Sequence, residues 1–452
     1  VSERSKTDKA PKKFVKARPA QAGPTLGMKQ AQAKITPARR VAYEILTLVG
    51  EGKGHSDELL HGVRTDALSP EDRNLATALV MGVLRWQIAL DARVRMYLAR
   101  PDENLPEPVA LALRLGAFQL LHMDRIPAHA ALSESVEMCR VGGAPYATGM
   151  VNAILRKVAS AAAPGKKLFE TPAAFAERLG HPAWLVERWA KNYGRDAALK
   201  ICEADQAEPA SGGLFAALTD DEANGAAGAA GGRMPQMDEG SRLVAELAAA
   251  AAPAVEGRKL RVWDCCAAPG GKTLMLALRL AGADIFATDV SGKRMDQMEA
   301  RMRRYGYASE VRYGVGDAAQ LPEDEGLFDL ILCDAPCSGT GTLARNPEIR
   351  LRLQPEELAR QSARQRGLLA AGLKRLAPGG RLVYSTCSLE PEENEVVVSA
   401  AAGAAVRVPV AELMKRVPGL TPEAAGLVRE GVLRTLPGVD GCDGFYAVVL
   451  ER

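Results

Sequence analysis

The sequence predicts two folded parts, an all-α domain followed by a Rossmann-like α/β domain, and three observations carry that prediction. Apolar residues recur at helical spacing over 37–163, and beyond Leu260 the pattern changes to short apolar runs separated by helical segments. Between them lies a stretch of low complexity. A chain of 452 residues also exceeds what one core usually serves, at roughly 150 residues per domain.

Residues 1–36 come first. Eleven Lys and Arg stand against two acids in the first 40 positions, so this head carries +9 and the remainder of the chain −6. Rich in Pro, Ala and Gln, it buries too little surface to fold and is expected to be a disordered basic tail, either an arm drawn to phosphates or a solubilising segment. It lacks the apolar stretch of a secretory signal. The chain is 47% hydrophobic and 25% charged, and its eight cysteines show no disulfide spacing. With no uninterrupted apolar run of about 20 residues, the expectation is a cytoplasmic protein with reduced thiols and no membrane span. Neither Cys333 with Cys337 nor the adjacent Cys265 and Cys266 has the CxxC pairs and histidines of a zinc site, so no metal is expected.

In the helical part, 37–163, Val41, Ile45, Leu46 and Val49 share one face, as do Leu75, Leu79, Val83 and Leu84. Pro127 and Gly142-Gly143 separate later helices, and five to seven helices are expected. Arg85, Arg93, Arg140, Arg156 and Lys157 are candidates for an RNA-facing surface. A connector follows over 164–240. Its Trp184, Leu185, Arg188 and Trp189 fall on one helix face, the tryptophans reading as core, and 206–240 reads as flexible linker around the Gly/Ala run 225–232.

The α/β part is expected over 241–452, with strands at 260–264, 284–289, 310–313, 327–333, 381–385 and 444–450. Helices fit at 273–281, 293–305, 355–376 and 391–401. This alternation predicts a doubly wound parallel sheet. The segment Asp264-Cys265-Cys266-Ala267-Ala268-Pro269-Gly270-Gly271-Lys272-Thr273 leaves the first strand and opens a helix, and its small residues let backbone amides approach a ligand. It is not GxGxxG, and it fails GxxxxGK[ST] because Cys266 stands where the first glycine should be. Acids follow four successive strands: Asp264, Asp289 placed for ribose hydroxyls, Asp317 placed for an adenine amino group, and Asp334. A lone Asp there would be a cap, but four in series point to S-adenosylmethionine.

Cys337 and Cys387 each follow a strand, in turns rich in Gly, Ser and Thr, so both are expected at the pocket. Carbon 5 of cytosine is a poor nucleophile. Methylation there needs a thiolate to add at carbon 6, with a carboxylic acid such as Asp334 near ring N3 and a second thiol to help remove the carbon 5 proton. Cys139, Cys202, Cys265, Cys333 and Cys442 read as core.

CAAPGGKT at 266–273, DAPCSGTGT at 334–342 and YSTCSLEPEENE at 384–395 resemble the motifs of the Sun/Fmu-type RNA cytosine-5 methyltransferases. Over 37–452 the chain is most similar to the ribosomal RNA small subunit methyltransferase B family. The resemblance implies Cys387 as nucleophile and Cys337 as release partner. It also implies cofactor contacts from Cys266, Ala267, Ala268, Pro269, Gly270, Gly271, Lys272, Asp289, Asp317 and Asp334. Asp72-Arg73 and YATGMVNAILRK at 146–157 resemble the NusB-type RNA-binding fold. The implied partners are small-subunit (16S) ribosomal RNA, its base flipped or presented single-stranded, and S-adenosylmethionine, with a monomer expected. Two departures stand out. Residues 206–240 are acidic and low in complexity where the family carries a basic RNA-binding subdomain, and its DEAS segment is replaced by Asp238-Glu239-Gly240-Ser241 before a helix at 243–252. The competing expectations are a DNA-type enzyme with Cys337 in Pro336-Cys337 as nucleophile, a non-catalytic RNA-binding assembly factor, and a transfer RNA or other ribosomal target.

Overall fold

The computed structural model describes residues 34–160, 170–209, 213–215 and 237–452. The basic head as far as residue 33 and the Gly/Ala run 225–232 lie outside the described residues.

Among the described residues the N-terminal part forms seven α-helices: Pro37–Gly50, Ser56–Leu60, Val63–Asp66, Pro70–Arg95, Glu107–His122, Ala128–Val141 and Thr148–Ser160. Helix starts follow local chemistry. The Ser69 hydroxyl accepts the Asp72 amide at 3.1 Å, and Pro70 occupies the first turn, where its missing N–H costs nothing. Ile45, Leu46, Leu79, Val83, Leu84, Leu113 and Leu155 form one core. A buried polar knot pins the first helix to it, with Arg39 donating to Gln119 (2.6 Å) and Glu134 (3.0 Å). Pro70–Arg95 is long and apolar enough to cross a membrane by length and composition, at a mean hydropathy of 1.3, but its Leu79, Val80, Val83 and Leu90 are packed inside this bundle.

Helices Pro172–Arg178, Ala183–Tyr193 and Arg195–Gln206 build the connector around Phe175, Leu185, Trp189 and Ile201. Trp189 is fully buried, as its spacing predicts, and Trp184 packs at the margin. Asp238 caps the helix Glu239–Ala250 by accepting the amides of Gly240 (2.8 Å) and Ser241 (3.2 Å). The altered DEAS segment thus still starts a helix.

The α/β domain holds strands β1 Arg261–Asp264, β2 Asp284–Asp289, β3 Val311–Val315, β4 Phe328–Asp334, β5 Leu376–Thr386, β6 Val406–Arg407, β7 Val428–Arg429, β8 Val432–Arg434 and β9 Tyr446–Glu451. Their order is β3-β2-β1-β4-β5-β9-β8-β7, with β6 also beside β9. The strand order reverses at β1, between β2 and β4, which opens a crevice at the carboxyl ends of those strands. The expectation of a parallel sheet holds only from β3 to β5. β9 runs antiparallel to β5, with Thr386 opposite Tyr446 and Arg381 opposite Glu451. A parallel strand needs a crossover, and between β8 and β9 the chain turns back without a helix. The helix expected over 391–401 is also broken, into a 3₁₀ turn Pro391–Glu393 and Glu395–Ala401. Asn394 makes the break. Its side chain accepts the Thr386 hydroxyl at 2.5 Å and donates to the Ser388 carbonyl at 2.9 Å.

Candidate active site

The register of β4 on β5 brings the two cysteine loops together. Asp334 pairs with Ser385, the Ala335 amide donates to the Ser385 carbonyl (2.8 Å), and the Ser385 hydroxyl donates to Asp334 Oδ1 (2.8 Å). Cys337 lies three residues beyond that pair and Cys387 two, which leaves their sulfurs 3.3 Å apart. The hydrogen bond with Cys387, then burial, pushes the Cys337 thiol well above its ordinary range. The two sulfurs are close enough to share a proton, which either can donate.

A buried network fixes both loops beneath the sulfurs. Glu393 accepts the Ser338 amide at 2.8 Å, the Ser388 hydroxyl at 2.5 Å, the Gln365 amide group at 3.0 Å, and the Ser338 hydroxyl. Gln365 also donates to the Pro336 carbonyl (2.9 Å), directly before Cys337. The Gly341 amide donates to the Cys387 carbonyl (2.9 Å), and a Cβ added at Gly341 would lie 2.2 Å from the Gly444 carbonyl oxygen. Only glycine lets those backbones meet.

Beside the sulfurs runs a cleft of about 200 Å³, lined in part by Cys266, Ala268, Asp289, Asp317, Asp334 and Leu368. The Asp289 carboxylate is oriented by the amides of Ser291 (2.9 Å) and Ala268 (3.3 Å), and Asp317 by that of Ala319 (3.0 Å). Val290, 55% exposed, and Leu368 give the cleft apolar surface suited to a flat ring. Gly270 turns the loop in the left-handed region, φ +89°, and packs on Met298. These features fit S-adenosylmethionine: acids for ribose and amine hydrogens, apolar walls for adenine, and a backbone loop without bulky side chains. They do not fit a phosphate. Lys272 is held by Asp334 (2.7 Å) and the Thr273 hydroxyl by Asp264 (2.6 Å), so neither is offered to a phosphoryl oxygen.

Of the candidate residues, Cys266, Ala268, Asp289, Asp317, Asp334, Cys337 and Cys387 line the cleft. Ala267 is buried behind it, and Pro269, Gly270, Gly271 and Lys272 shape the loop outside that lining. Asp264 does not reach the cleft. It is fully buried at the end of β1, and burial, acting against the Thr273 hydrogen bond, raises it to about 7. Burial is the largest influence on Lys272 and acts downward, but the charge and hydrogen bond of Asp334 outweigh it and the ammonium is raised. Asp334 is thus half of an ion pair, where the sequence suggested a lone carboxylic acid. Cys139, Cys202, Cys265, Cys333 and Cys442 are buried, as core cysteines should be. Arg85 faces inward, donating to the Ala344 carbonyl (2.7 Å), whereas Arg156 and Lys157 are exposed. Arg73 likewise serves the fold, donating to the Thr65 carbonyl at 3.1 Å. The residues missed in the sequence are Val290, Arg294, Arg364, Gln365, Leu368 and Glu393. Glu393 alone carried a signal, as the fourth residue of the run Glu390-Pro391-Glu392-Glu393 after Cys387.

An α/β sheet of this order, with oriented acids after β2 and β3 and a thiol pair after β4 and β5, defines a methyltransferase. Its family follows from comparison with known proteins: the chain belongs to the ribosomal RNA small subunit methyltransferase B family. The family described as 16S rRNA methyltransferase RsmB/F matches residues 252–451, and the NusB family matches residues 36–160. The chain is 31% identical to the probable ribosomal RNA small subunit methyltransferase B of Bacillus subtilis, covering 93% of this chain and 99% of that protein. It is 32% identical to the ribosomal RNA small subunit methyltransferase B of Xanthomonas campestris pv. campestris, covering 92% and 97%. The crystal structure of PH0851 shares the fold at a TM-score of 0.69 and 23% identity, covering 92% of this chain and 99% of that one.

Proposed function

We propose that this enzyme methylates carbon 5 of a cytosine in 16S ribosomal RNA, using S-adenosylmethionine, with Cys387 as nucleophile and Cys337 as release partner. The observation that carries this reading is the pair of sulfurs 3.3 Å apart at the mouth of a cleft shaped for a nucleoside. The named relatives supply the substrate, since they are ribosomal RNA small subunit methyltransferases. Asp289 and Asp317 would hold the ribose and adenine, and the loop 266–271 the amino-acid end, of a cofactor that supplies an electrophilic methyl carbon when bound.

The Cys387 thiolate adds to cytosine carbon 6, forming a carbon–sulfur bond while the ring's electrons move toward carbon 5 and N3. The Lys272–Asp334 pair supplies the proton that N3 needs, passed across their 2.7 Å contact. Once carbon 5 carries the methyl group, its hydrogen must leave as a proton and the carbon–sulfur bond must break. Cys337, adjacent to that bond, is the group placed to take the proton, acting as a thiolate after its own proton has passed to solvent. Cys337 and Cys387 are partly exposed and line the cleft, where an extruded base would meet them.

Separate Cys387→Ala and Cys337→Ala proteins test the division of labour on small-subunit RNA. Cys387→Ala is expected to lose methylation without forming an adduct, and Cys337→Ala to accumulate a denaturant-resistant protein–RNA adduct. An adduct formed by Cys387→Ala and not by Cys337→Ala would assign the chemistry to the DNA-type arrangement instead.

A further inference from the structure

Residues 343–353 run from the Cys337 loop to the helix Pro355–Lys374, and three parts of the molecule grip them. Leu351 packs against the core of the N-terminal helices, while Leu343 and Ile349 pack in the connector core. Glu348 is 1% exposed and accepts both the amide (3.0 Å) and the hydroxyl (2.8 Å) of Ser56, on the helical domain. The His55 ring nitrogen lies 3.6 Å from its carboxylate. Arg352 donates to the Val49 (2.6 Å) and Gly54 (3.2 Å) carbonyls of the same domain. Among the described residues no Lys or Arg forms an ion pair with the buried Glu348 carboxylate, which therefore depends on the Ser56 donors, so the grip is specific in position.

The other end of the segment reaches the reacting sulfurs. Asn346 donates to the Thr342 hydroxyl (3.2 Å), Thr342 donates to the Gly339 carbonyl (2.9 Å), and the Gly341 amide holds the Cys387 carbonyl. A continuous chain of contacts therefore leads from Ser56 to both cysteine loops.

We propose that 343–353 is a positioning element through which the helical domain sets Cys337 against Cys387, with Glu348 as the positioning residue. The helical domain is then part of the catalytic framework as well as a handle for RNA. The inference rests on reading Cys337 and Cys387 as the reacting pair.

Full-length Glu348→Leu is the test, since leucine offers no acceptor to either Ser56 donor, whereas a glutamine could accept the amide and donate to the hydroxyl. Its kcat on small-subunit RNA is expected to fall about tenfold with KM nearly unchanged, because the loss is one of geometry at the sulfurs. Amide exchange over 337–343, and alkylation of Cys337 by iodoacetamide, should both quicken while the β1–β4 strands exchange as before. Ser56→Ala, which removes one hydrogen bond and leaves the carboxylate, should shift the same readouts less, and it replaces Glu348→Leu should that variant fail to fold. An unchanged kcat, a loss confined to KM, or faster exchange across the whole sheet would overturn the proposal. Exchange and alkylation need no turnover, so they judge the grip even if the wild type proves inactive on RNA, a result that would count against the reading of the cysteines instead.

Discussion

Four hydrogen bonds converge on Glu393, from Ser338, Ser388 and Gln365, and each donor sits within one residue of a cysteine or on the helix behind Cys337. Glu393→Ala leaves the Ser338 amide buried without its acceptor, while the Ser338 and Ser388 hydroxyls keep each other (3.1 Å) and Gln365 keeps the Pro336 carbonyl (2.9 Å), and a donor left unsatisfied in this way costs about 1–3 kcal/mol. The expected outcome is a lowered urea midpoint together with a kcat loss on the order of 100-fold, because a misplacement of about 1 Å at a reacting pair has that effect. Unchanged kcat in a destabilised Glu393→Ala protein would confine Glu393 to the fold. At this scale the sequence was legible where chemistry demands a residue type. Cys337, Cys387, Asp289 and Asp317 could be picked out because thiols and acids recur directly after successive strands, where a single acid would read as a cap. Arg364 and Leu368, which reach the cleft, and Gln365, which holds Glu393 and the Pro336 carbonyl, could not, since they lie in the middle of the helix Pro355–Lys374, whose pattern of charges and leucines is that of any amphipathic helix.

Strands β1, β2 and β4 were legible to within a residue or so because they are central, buried on both faces and therefore continuously apolar. β6, β7 and β8 have two or three residues each, too few to show any period, so the antiparallel edge was invisible. The central strands also bury Asp264, which has one oxygen bonded to Thr273 and the other without a partner. Its folded value, about 7 against an ordinary 3.8, lies above the unfolded one, so the folded state binds its proton more tightly. That contribution to stability is fully present below about pH 4 and lost as pH rises through about 7. Asp264→Asn removes this dependence. Relative to the wild type, it should gain stability from pH 4 to pH 7 by at most about 4 kcal/mol. Urea unfolding of both proteins across that range would show it, and parallel curves would refute it.

At the scale of the whole molecule, one arginine contacts all three of its parts. Arg350 is 1% exposed and donates to the carbonyls of Arg85 (3.2 Å) in the helical domain, Gly180 (3.4 Å) and Asp205 (3.3 Å) in the connector, and Leu343 (3.4 Å) in its own segment. Burial lowers its value to about 10, against the pull of Asp205, so it stays charged at neutral pH. Nothing in the sequence marks this residue, because its partners are backbone carbonyls, which any sequence provides. Gripped from all three parts, the described chain should unfold as one unit, with a single calorimetric transition. Arg350→Ala would remove the donor these carbonyls share; that of Arg85 keeps Gln206 (2.9 Å), and each carbonyl left unsatisfied costs about 1–3 kcal/mol. The loss falls at the junction, so the expected result is division of the endotherm into two, the earlier one following the helical domain's far-ultraviolet signal. A single transition shifted downward would mean that the cores of the separate parts, with Leu351 bridging them, hold the molecule together without Arg350.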